Sequence, residues 1–389
     1  MPKILYVATP PYDLDPNSYN VQGIGLGKAF CRLGYDFDCI RFKKKNPHEW
    51  KLYEHQGCSL NYIEKERLRL FRWGLNSSLL KKDFLDGYDY VIVREYYQIM
   101  ADLIARRHPA VYLYSGHYYD PFMFPFTSPL YDALFTKDMN SHLRATFVKS
   151  PLAKQFLQGK GYERVFDIGV GLDTERFDTV SLPDAGTKEL MEFMTRNRCV
   201  LFVGNLSEVK NYRFLLQLFQ ELLERFPDLK LVAIGKSKQS AIEKLKGHPD
   251  ESYAKTIEND FPDSVIKAIH HIERVENPQL KFIYPLAKAF ILPSVSEIFG
   301  MVLLEAMYLG APVVTSTHGG STSLLSIPGA GAMLPSFDVR EWADATSKFI
   351  EDEKFASDTV SEARRRIVQD FTWDSIAKKM LDVIKATVI

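Results

Sequence analysis

The stretch FILPSVSEIFGMVLLEAMYLGAPVV, residues 290–314, reads as a strand, a loop, a helix and a second strand. Ala289–Leu292 is apolar and short, and Pro293-Ser294 ends it. Glu297 falls in the loop, Phe299-Gly300 opens a helix containing Glu305, Gly310 caps that helix, and Pro312 precedes the next strand. Two carboxylates therefore stand near one helix N-terminus. The free N–H groups and the dipole of such an end attract a phosphate. The carboxylates repel phosphate but accept hydrogen bonds from sugar hydroxyls, so the combination suits a sugar nucleotide. The alternative for these residues alone is a capping Glu297 and a surface Glu305.

Outward from this stretch the same alternation recurs. In the first half, apolar runs at Ile4–Ala8, Phe37–Ile40, Tyr90–Val93, Val111–Tyr114 and Thr146–Val148 alternate with helical patterns near 22–33, 96–107 and 151–159. In the second half, Val200–Val203, Leu229–Ile234, Ala289–Leu292, Val313–Thr315 and Ala332–Leu334 alternate with helical patterns near 211–226, 278–286, 300–309 and 338–352. Alternating strands and helices predict parallel sheets covered on both faces. We expect an α/β chain of two Rossmann-like doubly wound domains, 1–180 and 181–370, facing a central cleft, with a helix at 371–389 packing back toward the first. The polar stretch 178–197 reads as the connection. Ligands of such sheets bind at the carboxyl ends of the strands.

The 389 residues carry 49 Lys+Arg and 49 Asp+Glu, and this neutrality argues against nucleic acid as a partner. Cys31, Cys39, Cys58 and Cys199 are scattered and form no CxxC pair, so they read as small buried hydrophobes, neither a disulfide scaffold nor a zinc site. No run reaches the ~18 apolar residues of a membrane span. The expectation is a cytoplasmic chain.

The stretch 290–314 closely resembles the E-x7-E signature of glycosyltransferase family 4, retaining enzymes of the GT-B fold. Other segments match in the family's order: Gly171-Leu172-Asp173-Thr174-Glu175-Arg176-Phe177, Val203-Gly204-Asn205-Leu206-Ser207-Glu208-Val209-Lys210, Gly319-Gly320, and Phe371-Thr372-Trp373. The resemblance is ordered over about 165–380 and vaguer before. It implies that Glu305 binds the ribose hydroxyls of the nucleotide and Glu297 those of the donor sugar. The amides after Phe299, at Gly300 and Met301, would face the donor. Lys210 would neutralise the diphosphate, beside Gly204 and Asn205, and Arg274 and Val275 would lie by the base. The family's usual arginine is Asn205 here, so one phosphate charge is missing, and Arg274 and Lys236 are candidates to replace it. Where the family often has a glutamate after the glycine pair, this chain has Ser323.

In the first half His117 follows the strand Val111–Tyr114, where the family often has a histidine near the sugar and acceptor. With Glu95 and Tyr118 it forms the expected acceptor side. The family's early glycine pair is replaced by Asn17-Ser18. Gly23, Gly25 and Gly27 are spaced GxGxG, which reads as close helix packing and not as a dinucleotide fingerprint. Asp13-Leu14-Asp15 mimics a metal-binding triplet outside its usual context, so no metal and no cofactor are expected. Residues 41–82 hold eleven Lys/Arg against four Glu, and RLRLFRWGL (67–75) interleaves Arg with Leu, Phe and Trp. That mixture fits reversible contact with anionic lipid, or a basic face packed on the domain. PFMFPF (121–126) is either a buried loop or an apolar acceptor surface.

The resemblance as a whole implies a retaining, metal-independent hexosyltransferase. Its donor is a nucleotide-sugar, with UDP favoured, and its acceptor a glycan, glycolipid or glycoprotein of cell-surface biosynthesis. The alternatives are a non-catalytic partner subunit or a phosphorylase or epimerase on the same fold.

Overall fold

The computed structural model describes residues 1–8, 21–70, 73–122, 127–179, 181–237 and 253–387. The chain forms two α/β units, Met1–Asp173 with Phe371–Ile389, and Thr174–Asp370. The expected change-over at 180/181 falls seven residues earlier, because Thr174 already starts a turn whose Phe177 packs on Tyr308 at 6.2 Å. Leu172 instead donates its N–H to the Phe371 carbonyl at 2.7 Å, binding it to the last segment of the chain.

The strands of the first unit are β1 (Lys3–Ala8), β2 (Asp36–Lys43), β3 (Glu49–His55), β4 (Cys58–Glu66), β5 (Leu68–Leu70), β6 (Trp73–Leu75), β7 (Tyr90–Arg94), β8 (Val111–Ser115), β9 (Leu143–Val148) and β10 (Val165–Asp167). Eight of them make one sheet in the order β10-β9-β8-β7-β1-β2-β4-β3. Only the β3–β4 pair is antiparallel. β1 lies at the centre and all its residues from Ile4 to Ala8 are fully buried, as the continuous apolar run requires when helices cover both faces.

Helix α1 (Gln22–Arg32) carries the three glycines. A Cβ on Gly25 would sit 2.2 Å from the Trp373 ring, and one on Gly27 2.5 Å from Leu60. Trp373 begins a helix that runs to Thr387 and belongs to this unit. Helix α2 (Pro151–Gly159) starts on Ser150, whose side chain accepts from the Ala153 N–H, with Pro at its first turn.

Part of the basic stretch packs on the domain, the second of its two expected forms. Much of 41–82 is sheet: it holds the end of β2, the β3–β4 hairpin and β5–β6. Arg41 is buried, Lys43 pairs with Glu64 at 2.9 Å, and Trp73 turns inward to donate its indole N–H to the Tyr97 carbonyl at 2.7 Å. Trp73 therefore packs, half-buried, against the core of the first unit. Asp13-Leu14-Asp15, Asn17-Ser18, Phe71-Arg72 and Met123–Phe126 lie outside the described residues. All four cysteines are free and buried. Among the described residues no helix is long and apolar enough to cross a membrane.

The second unit has strands β11 (Cys199–Val203), β12 (Lys230–Ile234), β13 (Ile269–Ile272), β14 (Ala289–Leu292), β15 (Val313–Ser316) and β16 (Ala332–Leu334). They form one parallel sheet in the order β13-β12-β11-β14-β15-β16. The order reverses between β11 and β14, which is where such sheets open a crevice for ligands. The supposed linker contains helix α3 (Ala185–Arg196), capped by Asp184, whose carboxylate accepts from the Thr187 N–H at 2.7 Å. It is followed by α4 (Tyr212–Arg225), α5 (Met301–Leu309), α6 (Gly319–Leu324), α7 (Val339–Glu351), α8 (Glu353–Asp370) and, in the first unit, α9 (Trp373–Thr387). The pattern near 278–286 forms two 3-10 turns, Asn277–Phe282 and Tyr284–Leu286, because Pro278 and Pro285 sit at their starts.

Candidate active site

Two loops meet at the β11/β14 reversal. The loop after β11 crosses the one after β12 so closely that a Cβ on Gly235 would lie 1.8 Å from the Gly204 carbonyl oxygen. Gly235, at φ +154°, is therefore fixed by space. The Val295 N–H donates to the Val209 carbonyl at 2.9 Å, tying the loop of Lys210 to that of Glu297. Asn211, left-handed at φ +53°, then starts α4.

These constraints bring the Lys210 ammonium against the Glu297 carboxylate in a partly buried ion pair. Asn205 is exposed, and its carbonyl accepts from the Ser207 hydroxyl at 3.4 Å. Gly300, at φ +78°, and Met301 open α5, with Phe299 buried beneath. Arg274 is exposed and pairs with Glu276 at 2.8 Å, and Val275 is half-buried beside it.

His318, unremarked in the sequence, is buried at this place. Its Nδ1 accepts from the Ser321 N–H at 3.2 Å, so the ring proton is on Nε2, 3.2 Å from the Thr315 hydroxyl. Thr315 passes its own proton to the Leu292 carbonyl at 3.0 Å. Burial, with the Lys210 charge added, lowers the His318 pKa to about 3, so the ring is neutral. The ring packs by Gly300, and the Gly319 N–H donates to the Glu297 carbonyl at 3.1 Å. A Cβ on Gly320 would meet the Phe299 carbonyl oxygen at 1.5 Å, so α6 approaches this loop as only glycine permits. The Gly319-Gly320 pair gave no sign in the sequence that the residue before it would cap the helix.

Glu305 lies on α5 with 2% of its surface exposed. Asn277 donates Nδ2–H to its Oε1 at 2.8 Å. Burial raises its pKa to about 7 even though Asn277, Tyr284 and the Arg176 charge all favour the carboxylate. The folded state thus holds a proton between the ordinary 4.5 and about 7 that the unfolded chain has lost, so Glu305 weakens stability as pH rises through that window. A hydroxyl ligand is accepted best by the charged form. On the expectation that Glu305 binds ribose hydroxyls, nucleotide affinity should rise as pH passes upward through about 7. Glu305→Gln should flatten that component and weaken binding about tenfold to a hundredfold, measured by calorimetric titration across pH 5.5–8.5. An unchanged affinity and pH profile would remove Glu305 from the site.

The first unit has its own charged cluster. Glu95 follows β7 at φ +64° and is 3% exposed. Its carboxylate meets Arg94 at 2.8 Å, His117 Nδ1 at 2.9 Å and Lys149 at 3.5 Å. Burial opposes its charge, but Lys149, His117 and Arg94 together hold its pKa well below the usual carboxylate range. Burial and the neighbouring Arg94 lower Lys149 to about 8. The His117 ring stands edge-on to Tyr97 at 5.0 Å, and Tyr118 is half-buried on the core. Arg94 and Lys149, which terminate β7 and follow β9, carried no signal in the sequence.

Residues 191–366 match the family model "Glycosyl transferases group 1". Among curated relatives, the D-inositol 3-phosphate glycosyltransferase of Corynebacterium urealyticum is 25% identical over 58% of this chain and 53% of its own length. That of Kribbella flavida is 30% identical over 46% of this chain and 41% of its own. The chain thus spans about half the length of the curated relatives it matches. Sucrose-phosphate synthase from Thermosynechococcus elongatus superposes over 99% of both chains, with TM-score 0.70 and 17% identity. Anabaena Alr3699/HepE, solved in complex with UDP and glucose, superposes with TM-score 0.69 and 16% identity over 99% of this chain and 100% of its own. The fold is GT-B, two doubly wound α/β units.

Proposed function

We propose, for a chain that through residues 191–366 belongs to the group 1 glycosyl transferases, that it transfers a hexose from a nucleotide-diphosphate sugar to an acceptor hydroxyl with retention at the anomeric carbon. The observation that carries this reading is the meeting of Lys210 and Glu297 at the β11/β14 reversal. A fixed ammonium there stabilises the charge that develops on the departing diphosphate. Glu297 takes hydroxyls of the sugar, and Glu305 takes those of the ribose. A UDP-sugar is the favoured donor, since Anabaena Alr3699/HepE shares the fold and is described with UDP-glucose. The acceptor is a glycan or polyol hydroxyl held in the first unit by Glu95, His117 and Tyr118. In this reading Lys210 and the backbone amides at Gly300 and Met301 supply the positive potential, without a resident metal.

A panel of UDP-, GDP-, ADP- and dTDP-sugars tests the reading by thermal shift. Binding to the folded state stabilises it by about 2.7 kcal/mol at a hundredfold excess over Kd, so the true donor should raise Tm by several degrees. Transfer from that donor should persist in EDTA and give a product of unchanged anomeric configuration by NMR. A panel in which no nucleotide sugar shifts Tm would refute the assignment.

A further inference from the structure

His318 is larger than its place at the start of α6 requires. A helix cap needs one small acceptor, and Asn, Asp, Ser or Thr is the common choice. The His318 ring meets that need with Nδ1 alone, which accepts from the Ser321 N–H. Its second nitrogen and its carbon edge act elsewhere, although the residue is only 1% exposed. Nε2–H reaches the Thr315 hydroxyl at 3.2 Å, and Thr315 donates in turn to the carbonyl of Leu292, the last residue of β14. The carbon edge faces Gly300: a Cβ there would meet Glu297 Cγ at 3.1 Å, His318 Cε1 at 3.5 Å and Leu292 Cδ2 at 3.7 Å. The stem of Glu297 and the imidazole thus converge on one point beside the Gly300 backbone. Two further bonds join the same connections. Ser316 donates its hydroxyl to the Ser294 carbonyl, and Gly319 donates its N–H to the Glu297 carbonyl. Residues 315–319 therefore grip the loop between β14 and α5 at Leu292, Ser294, Glu297 and Gly300, and the His318 ring carries the first and last of these contacts.

We propose that His318 is a positioning residue for the donor sugar: through the loop it grips, it sets where the Glu297 carboxylate stands. This rests on the reading of Glu297 as the contact to the sugar hydroxyls, and His318 acts only through it. The choice of side chain fits the role. An Asp cap would place a second carboxylate beside Glu297 and compete for Lys210. A Ser or Asn cap would leave Thr315 without the Nε2–H and the space by Gly300 unfilled. The imidazole, kept neutral by burial, caps the helix and braces the loop without adding charge beside Lys210. Such bracing matters because a group displaced by about 1 Å from its working geometry costs about a hundredfold in rate.

The test uses the full chain and calorimetric titration of whichever of UDP-, GDP-, ADP- and dTDP-glucose binds the wild type tightest, and of its free nucleoside diphosphate. His318→Asn keeps an acceptor for the Ser321 N–H, and so the cap, but gives up the ring. It should bind the sugar nucleotide about tenfold more weakly, hold the diphosphate within about twofold, and transfer sugar about tenfold more slowly at saturating donor. Thr315→Val leaves ring and cap in place and removes the hydroxyl between Nε2 and Leu292. It should show the same split in smaller measure, and it decides the matter if His318→Asn does not fold. Combined with Glu297→Ala, either change should weaken the sugar nucleotide no further than Glu297→Ala alone, because residues acting through one contact are not additive. Additive losses would overturn the proposal. Equal weakening toward sugar nucleotide and diphosphate, the mark of a merely structural role, would overturn it too, as would wild-type affinity and rate in the variants. Failure of the wild-type chain to bind any of these sugar nucleotides or diphosphates would overturn the nucleotide reading itself, and this inference with it.

Discussion

Lys210→Met should lower the rate of sugar transfer about a hundredfold to a thousandfold at saturating donor, the usual cost of removing one preorganised charge stabiliser. The side chain is similar in length, so the loop between β11 and α4 keeps its packing and the change isolates the charge. In the structure Lys210 is already engaged by Glu297. A diphosphate entering beside it must share or displace that partner. The variant should therefore also bind the free nucleoside diphosphate more weakly. Glu297→Ala should behave in the opposite way, losing transfer while nucleotide affinity is kept, because it is assigned to the sugar. Steady-state rates with labelled donor, together with titration by the diphosphate, separate the two. Wild-type turnover in both variants would show that this pair does not serve the reaction.

Glu95→Gln should destabilise the first unit by about 3–5 kcal/mol at neutral pH, since removing one partner of a buried ion cluster leaves the other charges uncompensated. Arg94 and Lys149 flank the carboxylate, and Lys149 is as buried as Glu95 itself. The sign of the pH dependence follows from the direction of the shift. Glu95 has a folded-state pKa below the ordinary 4.5, so its stabilising effect is complete above that value and is lost as the pH falls toward the folded-state one. The gap between wild type and variant in urea unfolding should thus be wide at pH 7 and close as the medium is acidified below about 4.5. A gap that stays constant down to pH 3 would show that the charge of Glu95 is not what matters.

What the sequence made legible was set by how local the signal was. The strand–loop–helix stretch ending at Gly310 was readable because each boundary has its own residue: Pro293, Gly300, Gly310 and Pro312. Glu297, Glu305 and Lys210 could be named for the same reason. β3 escaped notice because its alternation, exposed and half-buried, is spelled in charged and aromatic residues at the sheet edge. β13 carries His270 and His271 in a four-residue run, too short and polar to stand out. Helix α3 buries only Thr187, Leu190 and Met194, so its stripe is thin within a polar segment. The roles of His318, Asn277 and Lys149 depend on neighbours far along the chain, Thr315 excepted, and no spacing rule encodes those meetings.

The seat of Trp373 has a consequence for the order in which this protein is made. A Cβ on Gly171 would lie 2.6 Å from the Trp373 backbone, and one on Gly25 2.2 Å from its ring, so the first unit is shaped around a residue from the far end of the chain. A ribosome adds about 5–20 residues per second. Every residue of the second unit, Thr174–Asp370, is synthesised while that seat stands empty, an interval on the order of ten seconds or more. The second unit, continuous in sequence, can finish folding first. The earlier half of the first unit must wait with the apolar surface around Gly25 uncovered, which makes that interval the one in which a nascent-chain chaperone has most to protect.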